Sequence, residues 1–169
     1  MTSFQELAAD RYSVREFAPQ AVEPEKITTI LEIGRLAPTA RNQQPQRVRL
    51  LTDADDLAKI DECSPCRRGA PVVLLICYDK NEAWVRAIDN ASSGETDASI
   101  YTTHLMLTAH DLGLGACWVM HFELAKLIEL FALPENLVPF ALLPIGYASD
   151  NSAPSEMHFD RKPLESLFL

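Results

Sequence analysis

The stretch Arg11-Tyr12-Ser13-Val14-Arg15 places two guanidiniums four residues apart around a hydroxyl. Guanidiniums form charge-assisted, bidentate hydrogen bonds with oxyanions, and a serine hydroxyl adds a further donor. This set suits a small anionic group. The chain has 169 residues and a formal net charge of −9. Residues 1–51 nevertheless hold seven Lys and Arg against six Asp and Glu, a net of +1 that leaves −10 on the remainder. An acidic protein of this kind lacks the basic face that nucleic acid requires. The early excess of arginine therefore answers to a smaller ligand.

Other chemistries are poorly represented. Cys63 and Cys66 form a C-x-x-C, but no second pair or histidine at ligand spacing follows to complete a zinc site. The pair reads as a loop feature beside another site, with a thiol redox couple as the alternative. Cys77 and Cys117 lie in apolar runs and read as buried small side chains. His104, His110, His121 and His158 show no zinc spacing with acidic partners and read as surface or core histidines. No G-x-x-x-x-G-K-[ST] and no G-x-S-x-G is present. "GLGACW" follows a helix instead of a strand and lacks the third glycine of a dinucleotide fingerprint. A chain without nucleophile, metal or P-loop can still be an enzyme when a cofactor carries the chemistry.

The elements that must position the arginines are legible in outline. The chain reads as one domain across residues 1–169, long enough for its own core. Its longest apolar run, "PVVLLICY", is the length of a strand and not of a membrane span. The opening residues show no basic segment ahead of an apolar stretch, so a cytoplasmic protein with no membrane partner is expected. "FQELAADRYS" reads as a short helix. Pro24 opens a second helix, where Ile27, Ile30, Leu31 and Gly34 follow the helical period and Gly34 implies close packing. "RVRLL" alternates as a strand, and "ADDLAKID" follows as a helix. "PVVLLICY" suits a central strand covered on both faces. "SGETD" reads as a loop before the helix "DASIYTTHLMLTAHDLG", which is apolar nearly all round and so predicts packing across a subunit interface. "ACWVM" and "FALLPIGY" read as strands, with the amphipathic helix "FELAKLIELFALP" between them (Leu124, Leu127, Ile128 and Phe131). The apolar end of "RKPLESLFL" is expected to dock, on a partner subunit or elsewhere. The pattern is α+β: a mixed sheet of four or five strands with helices on both sides.

Four segments, "RYSVREF", "APTARNQQPQ", "DASIYTTHLMLTAHDLGLGACWV" and "LLPIGYA" with "RKPLESL", in this order and spacing resemble the nitroreductase family of FMN-dependent oxidoreductases, over about residues 7–167. The resemblance implies a three-layer sandwich with a mixed, mostly antiparallel sheet, in an intertwined homodimer holding FMN at the subunit interface. It implies that Arg11, Tyr12, Ser13 and Arg161, with Lys162, hold the FMN phosphate. Arg15 would face the N1 edge of the ring, where a cation stabilises the reduced, anionic form. Pro38, Thr39, Ala40, Asn42 and Gln44 would come from the other subunit and close over the flavin, their amides able both to donate and to accept. Backbone N–H groups along Cys117, Trp118 and Val119 would face ring atoms N5 and O4. Gln46 stands where the family often has Trp, and Met120 where Gly is common. Arg67 or Arg68 of "CSPCRRGAP" is a further candidate for the ring or the nicotinamide phosphate. The implied reaction has two halves: NADH or NADPH gives hydride to FMN, then a nitroaromatic, quinone or similar electrophile takes the electrons. No protein group is assigned as the catalyst. Two other readings keep the fold: a different flavin-dependent reaction, and a flavin-binding or redox-sensing protein without fast turnover.

Overall fold

A computed structural model describes residues 3–169. Its centre is β2 (Val72–Asp79), an apolar run buried on both faces. Successive side chains in a strand point to opposite faces. Val72, Leu74 and Ile76 therefore meet α2 (Pro24–Gly34) and α4 (Gly94–Asp111), while Val73, Leu75 and Cys77 meet α3 (Ala54–Cys63) and α5 (Leu124–Leu130). The result is a three-layer α+β sandwich. The sheet order is β1 (Gln46–Leu51), β2, β4 (Leu137–Gly146), β3 (Gly115–Ala116), with every neighbouring pair antiparallel. The parallel element is a single bridge, Ser13 to Ala116, which lays the arginine segment along the β3 edge.

Helix boundaries follow local chemistry. α1 (Phe4–Asp10) opens with a capping box, in which Ser3 and Glu6 each accept the other's backbone N–H, and ends before the arginines. Gly34 permits the crossing of α2 and α4, since a Cβ there would stand 2.4 Å from Leu105 Cδ2. "SGETD" is not a free loop: Ser93 caps α4, and Gly94 to Asp97 form its first turn. "ACWVM" pairs as a strand only at Ala116, the last residue of β3, and again at Val119, opposite Leu142. On α5 the expected stripe is half realised: Leu127 and Phe131 are buried, whereas Leu124 and Ile128 face solvent. The C-terminal segment from Pro163 onward is exposed throughout and docks on nothing within this chain. No described helix is long and apolar enough to cross a membrane.

The sheet has two distinct ends. At one, Gly146 pairs with Gly115, and Phe17 pairs with Ala148. At the other, Gln46 pairs with Tyr78, and the Asp79 N–H donates to the Pro45 carbonyl. The eight residues of β2 separate these ends by about 25 Å at 3.3 Å per residue. α4 runs the same span, with its first turn at the Tyr78 end, where Gly94 packs on the Tyr78 ring.

Candidate functional site

The expected anion-binding residues meet at the first end. Arg11, Tyr12, Ser13 and Arg15 line one cavity of about 180 Å³, and Arg161 reaches it from the far end of the sequence. Arg161 is oriented by its own backbone: its Nη1 donates to the carbonyls of Met157 at 3.1 Å and Asp160 at 2.8 Å. Three residues of this cavity were not among the expected site residues: Ser155, Met157 and His158, the last read from sequence as a surface or core histidine. His158 belongs to a 3₁₀ turn, Glu156–His158, and stacks edge-on against Phe159 at 4.8 Å. A polar turn just ahead of a basic pair was its only sequence signal. Lys162 is exposed and does not line the cavity.

Charge pairing singles out the same residues. Nine of the fifteen Lys and Arg pair with carboxylates: Lys26, Arg35, Arg47, Arg49, Lys59, Arg67, Lys80, Arg86 and Lys126. The six cations without an acidic partner among the described residues are Arg11, Arg15, Arg41, Arg68, Arg161 and Lys162. In a chain with 24 Asp and Glu, three unneutralised guanidiniums around one cavity form a focused positive field.

The β3 edge corrects one expectation. The Cys117 N–H donates to the Pro144 carbonyl at 3.2 Å and the Val119 N–H to the Leu142 carbonyl at 2.9 Å. Both donors are consumed by β4, so neither Cys117 nor Val119 offers its N–H to a ligand. The Trp118 N–H, between these two, has no hydrogen-bond partner among the described residues. The Trp118 indole packs edge-on against Phe140 at 5.8 Å, and its buried Nε1 has no hydrogen-bond partner. Beside it, burial pushes the Cys117 thiol pKa up, against the opposing fields of Arg15 and Arg68. The two candidate arginines of the neighbouring loop thus separate. Arg67 is held by Asp61 and by the Ala70 carbonyl, while Arg68, at φ +55°, is exposed and has no acidic partner among the described residues.

Pro38, Thr39, Ala40, Asn42 and Gln44 sit at the opposite end of the sheet. Ala40–Asn42 form a 3₁₀ turn, and Arg41, Asn42 and Gln44 have φ values of +52°, +58° and +52°. Non-glycine residues there cost on the order of 1–3 kcal/mol each unless the surroundings fix them. The Gln44 N–H donates to Thr39 Oγ1 at 3.1 Å, and the Ala40 N–H to Asp97 Oδ1 at 2.9 Å. Pro38, Asn42 and Gln44 are exposed; Thr39 and Ala40 are half-buried. Within one chain the structure therefore brings together the arginine cluster and the β3 edge, and holds the amide loop about a sheet length away.

Fold and site define a class: a three-layer α+β protein with a guanidinium-lined anion cavity at a sheet edge. The family is settled by comparison with known proteins. The Nitroreductase family profile matches residues 8–65 and 63–147, and the chain belongs to that family. A nitroreductase family protein from Clostridium difficile 630 superposes with a TM-score of 0.94 at 37% identity, over 99% of this chain and 98% of that one. A provisionally assigned nitroreductase from Desulfovibrio desulfuricans, solved in complex with FMN, gives 0.84 at 27% identity, over 100% and 96%. A Methanothermobacter thermautotrophicus protein provisionally named an NADH dehydrogenase/NAD(P)H nitroreductase is 29% identical, over 89% of this chain and 83% of its own length.

Proposed function

We propose that this chain, a single domain across residues 1–169, is an FMN-dependent NAD(P)H oxidoreductase that works as a homodimer. The observation that carries this reading is the unpaired set Arg11, Arg15 and Arg161 around one cavity in a protein of net charge −9. A ribityl phosphate supplies the missing anion, held by Arg11, Ser13 and Arg161. FMN, when bound, supplies the two-electron chemistry, taking hydride from NADH or NADPH and passing the electrons to a nitroaromatic, quinone or similar small electrophile. The fit is supported by polar atoms that the fold leaves over. The Trp118 N–H lacks a partner among the described residues, and it suits an acceptor on the ring. Arg15, whose charge reaches the neighbouring Cys117, supplies positive charge to the reduced ring.

The separation of the two residue groups supports the dimer. A loop about 25 Å from the arginine cavity along the sheet cannot close over a ligand in its own chain. A second copy set antiparallel along α4 brings each loop to the other copy's arginines. An apolar groove of about 580 Å³ on the outer side of α2 and α4, lined by Phe4, Leu7, Ile33, Leu107 and Leu112, provides a surface for that contact. The exposed Phe159, Leu164, Leu167 and Phe168 of the C-terminal segment gain cover in the same assembly.

The test is anaerobic titration of the FMN-loaded protein with NADH and with NADPH. Loss of the flavin visible absorption, restored by a nitroaromatic or quinone, supports the reading. Bound FMN that neither nucleotide bleaches replaces it with a flavin-binding module. Absence of FMN binding refutes it.

A further inference from the structure

Asp97 is a buried carboxylate that the anion cavity leaves unused. It is 2% exposed and stands in the first turn of α4, where negative charge favours the helix N-terminus. Its two oxygens have separate tasks. Oδ1 accepts the Ala40 N–H at 2.9 Å, at the head of the left-handed turn of residues 41–44. Oδ2 accepts the Ser93 hydroxyl at 2.7 Å. Ser93 is the root of a small hairpin: its N–H donates to the Trp84 carbonyl at 2.8 Å, the Arg86 N–H to the Ala91 carbonyl at 2.9 Å, and Val85 bridges Ser92. Of the turn's other hydrogen bonds, Asn42 N–H to the Thr39 carbonyl, Gln43 N–H to the Ala40 carbonyl and Gln44 N–H to Thr39 Oγ1 are internal to it, while the Gln44 carbonyl at its far end accepts from the Arg47 guanidinium of β1 at 3.1 Å. Asp97 ties the head of the turn to α4. An open hollow of about 360 Å³ is lined by Ala40, Trp84, Arg86, Asp97 and Ile100 among its residues.

We propose that Asp97 is a positioning residue that locks the flavin-closing loop and the Trp84–Ser93 hairpin into one unit. The assignment rests on reading residues 38–44 as part of the flavin site. A carboxylate is suited to the task because it offers an acceptor oxygen to each side at once. Asparagine keeps one acceptor, for the Ala40 N–H, and presents an NH₂ to Ser93. Alanine keeps neither.

The test uses the full chain with two readouts. The first is FMN affinity, by quenching of flavin fluorescence. The second is trypsin cleavage of the flavin-free protein after Arg41, in the loop, and after Arg86, in the hairpin, with cleavage after Arg161 as the reference. Asp97→Ala removes a hydrogen bond to a charged acceptor, so FMN affinity falls about ten- to a hundredfold. Cleavage after Arg41 and Arg86 accelerates by a similar factor while that after Arg161 holds, because the opening is local. Asp97→Asn recovers most of the FMN affinity and the protection at Arg41. Ser93→Ala speeds cleavage after Arg86 alone and leaves FMN affinity within about twofold. Equal acceleration at all three sites in Asp97→Ala marks general destabilisation and overturns the assignment, as does unchanged cleavage after Arg41. Wild-type affinity for FMN in Asp97→Ala overturns it while leaving the flavin reading intact. Wild-type protein that fails to bind FMN overturns the flavin reading itself and this assignment with it.

Discussion

Replacing Arg11 with alanine tests the proposed phosphate contact. Arg11 is half-buried, lines the cavity and has no carboxylate partner among the described residues. Its removal therefore breaks no internal ion pair and orphans no buried acid. What is lost is one charge-assisted contact to a phosphate, on the order of 1.5–3 kcal/mol, or roughly ten- to 150-fold in dissociation constant. Riboflavin carries the same ring without the phosphate and provides the control. Fluorescence titration of wild type and Arg11→Ala with both ligands gives four affinities. FMN affinity falls by that factor, whereas riboflavin affinity stays within about twofold. Added salt weakens FMN binding more than riboflavin binding, because it screens the same charges. Arg161→Ala repeats the pattern. The double variant departs from additivity, because both guanidiniums act on one group. Equal loss of FMN and riboflavin affinity in Arg11→Ala would refute the reasoning, since it assigns the arginine to the fold and not to the phosphate.

Three further outcomes follow from the structure. Arg15→Ala lowers the two-electron potential of the bound flavin by about 30 mV or more, equivalent to ~1.4 kcal/mol, because the reduced, anionic ring loses a neighbouring cation; spectroelectrochemistry reads the shift, and an unchanged potential moves Arg15 away from the ring. Gly34→Ala forces a Cβ to 2.4 Å from Leu105 Cδ2 and 2.9 Å from Tyr101, an overpacking that costs about 1–3 kcal/mol and appears as a lower melting temperature. Iodoacetamide at pH 8 labels the half-buried Cys66 in native protein but reaches Cys77, whose thiol burial pushes its pKa up to about 12, only on unfolding; mass spectrometry of the labelled peptides distinguishes the two.

Sequence alone carried the α+β class, the central strand and the Arg11–Arg15 part of the cavity, because each rests on a local pattern; Arg161 entered only through the family resemblance. An apolar run of eight residues admits few placements other than between two helix layers, and an Arg-x-Ser-x-Arg in an acidic chain calls for an anion. What escaped depends on contacts remote in sequence. The consumption of the Cys117 and Val119 N–H groups by β4 is a matter of strand register, which the motif does not encode. His158 enters the cavity because the chain end folds back over the start, and one histidine in a polar turn gives no sign of that. Asp97 stood at the junction of the expected loop and helix with no sign of its role, since its partner, Ala40, lies 57 positions away. The exposed C-terminal segment is the reverse case: its apolar sequence predicts a docking surface that a single chain does not contain.

In the proposed dimer one flavin site is assembled from two copies, each giving the arginine cavity to one flavin and the loop of residues 38–44 to the other. Native mass spectrometry of the protein purified with FMN measures this directly. The prediction is a dimer carrying two FMN, with no flavin on any monomer released by dilution. A monomer that retains FMN would contradict the shared site.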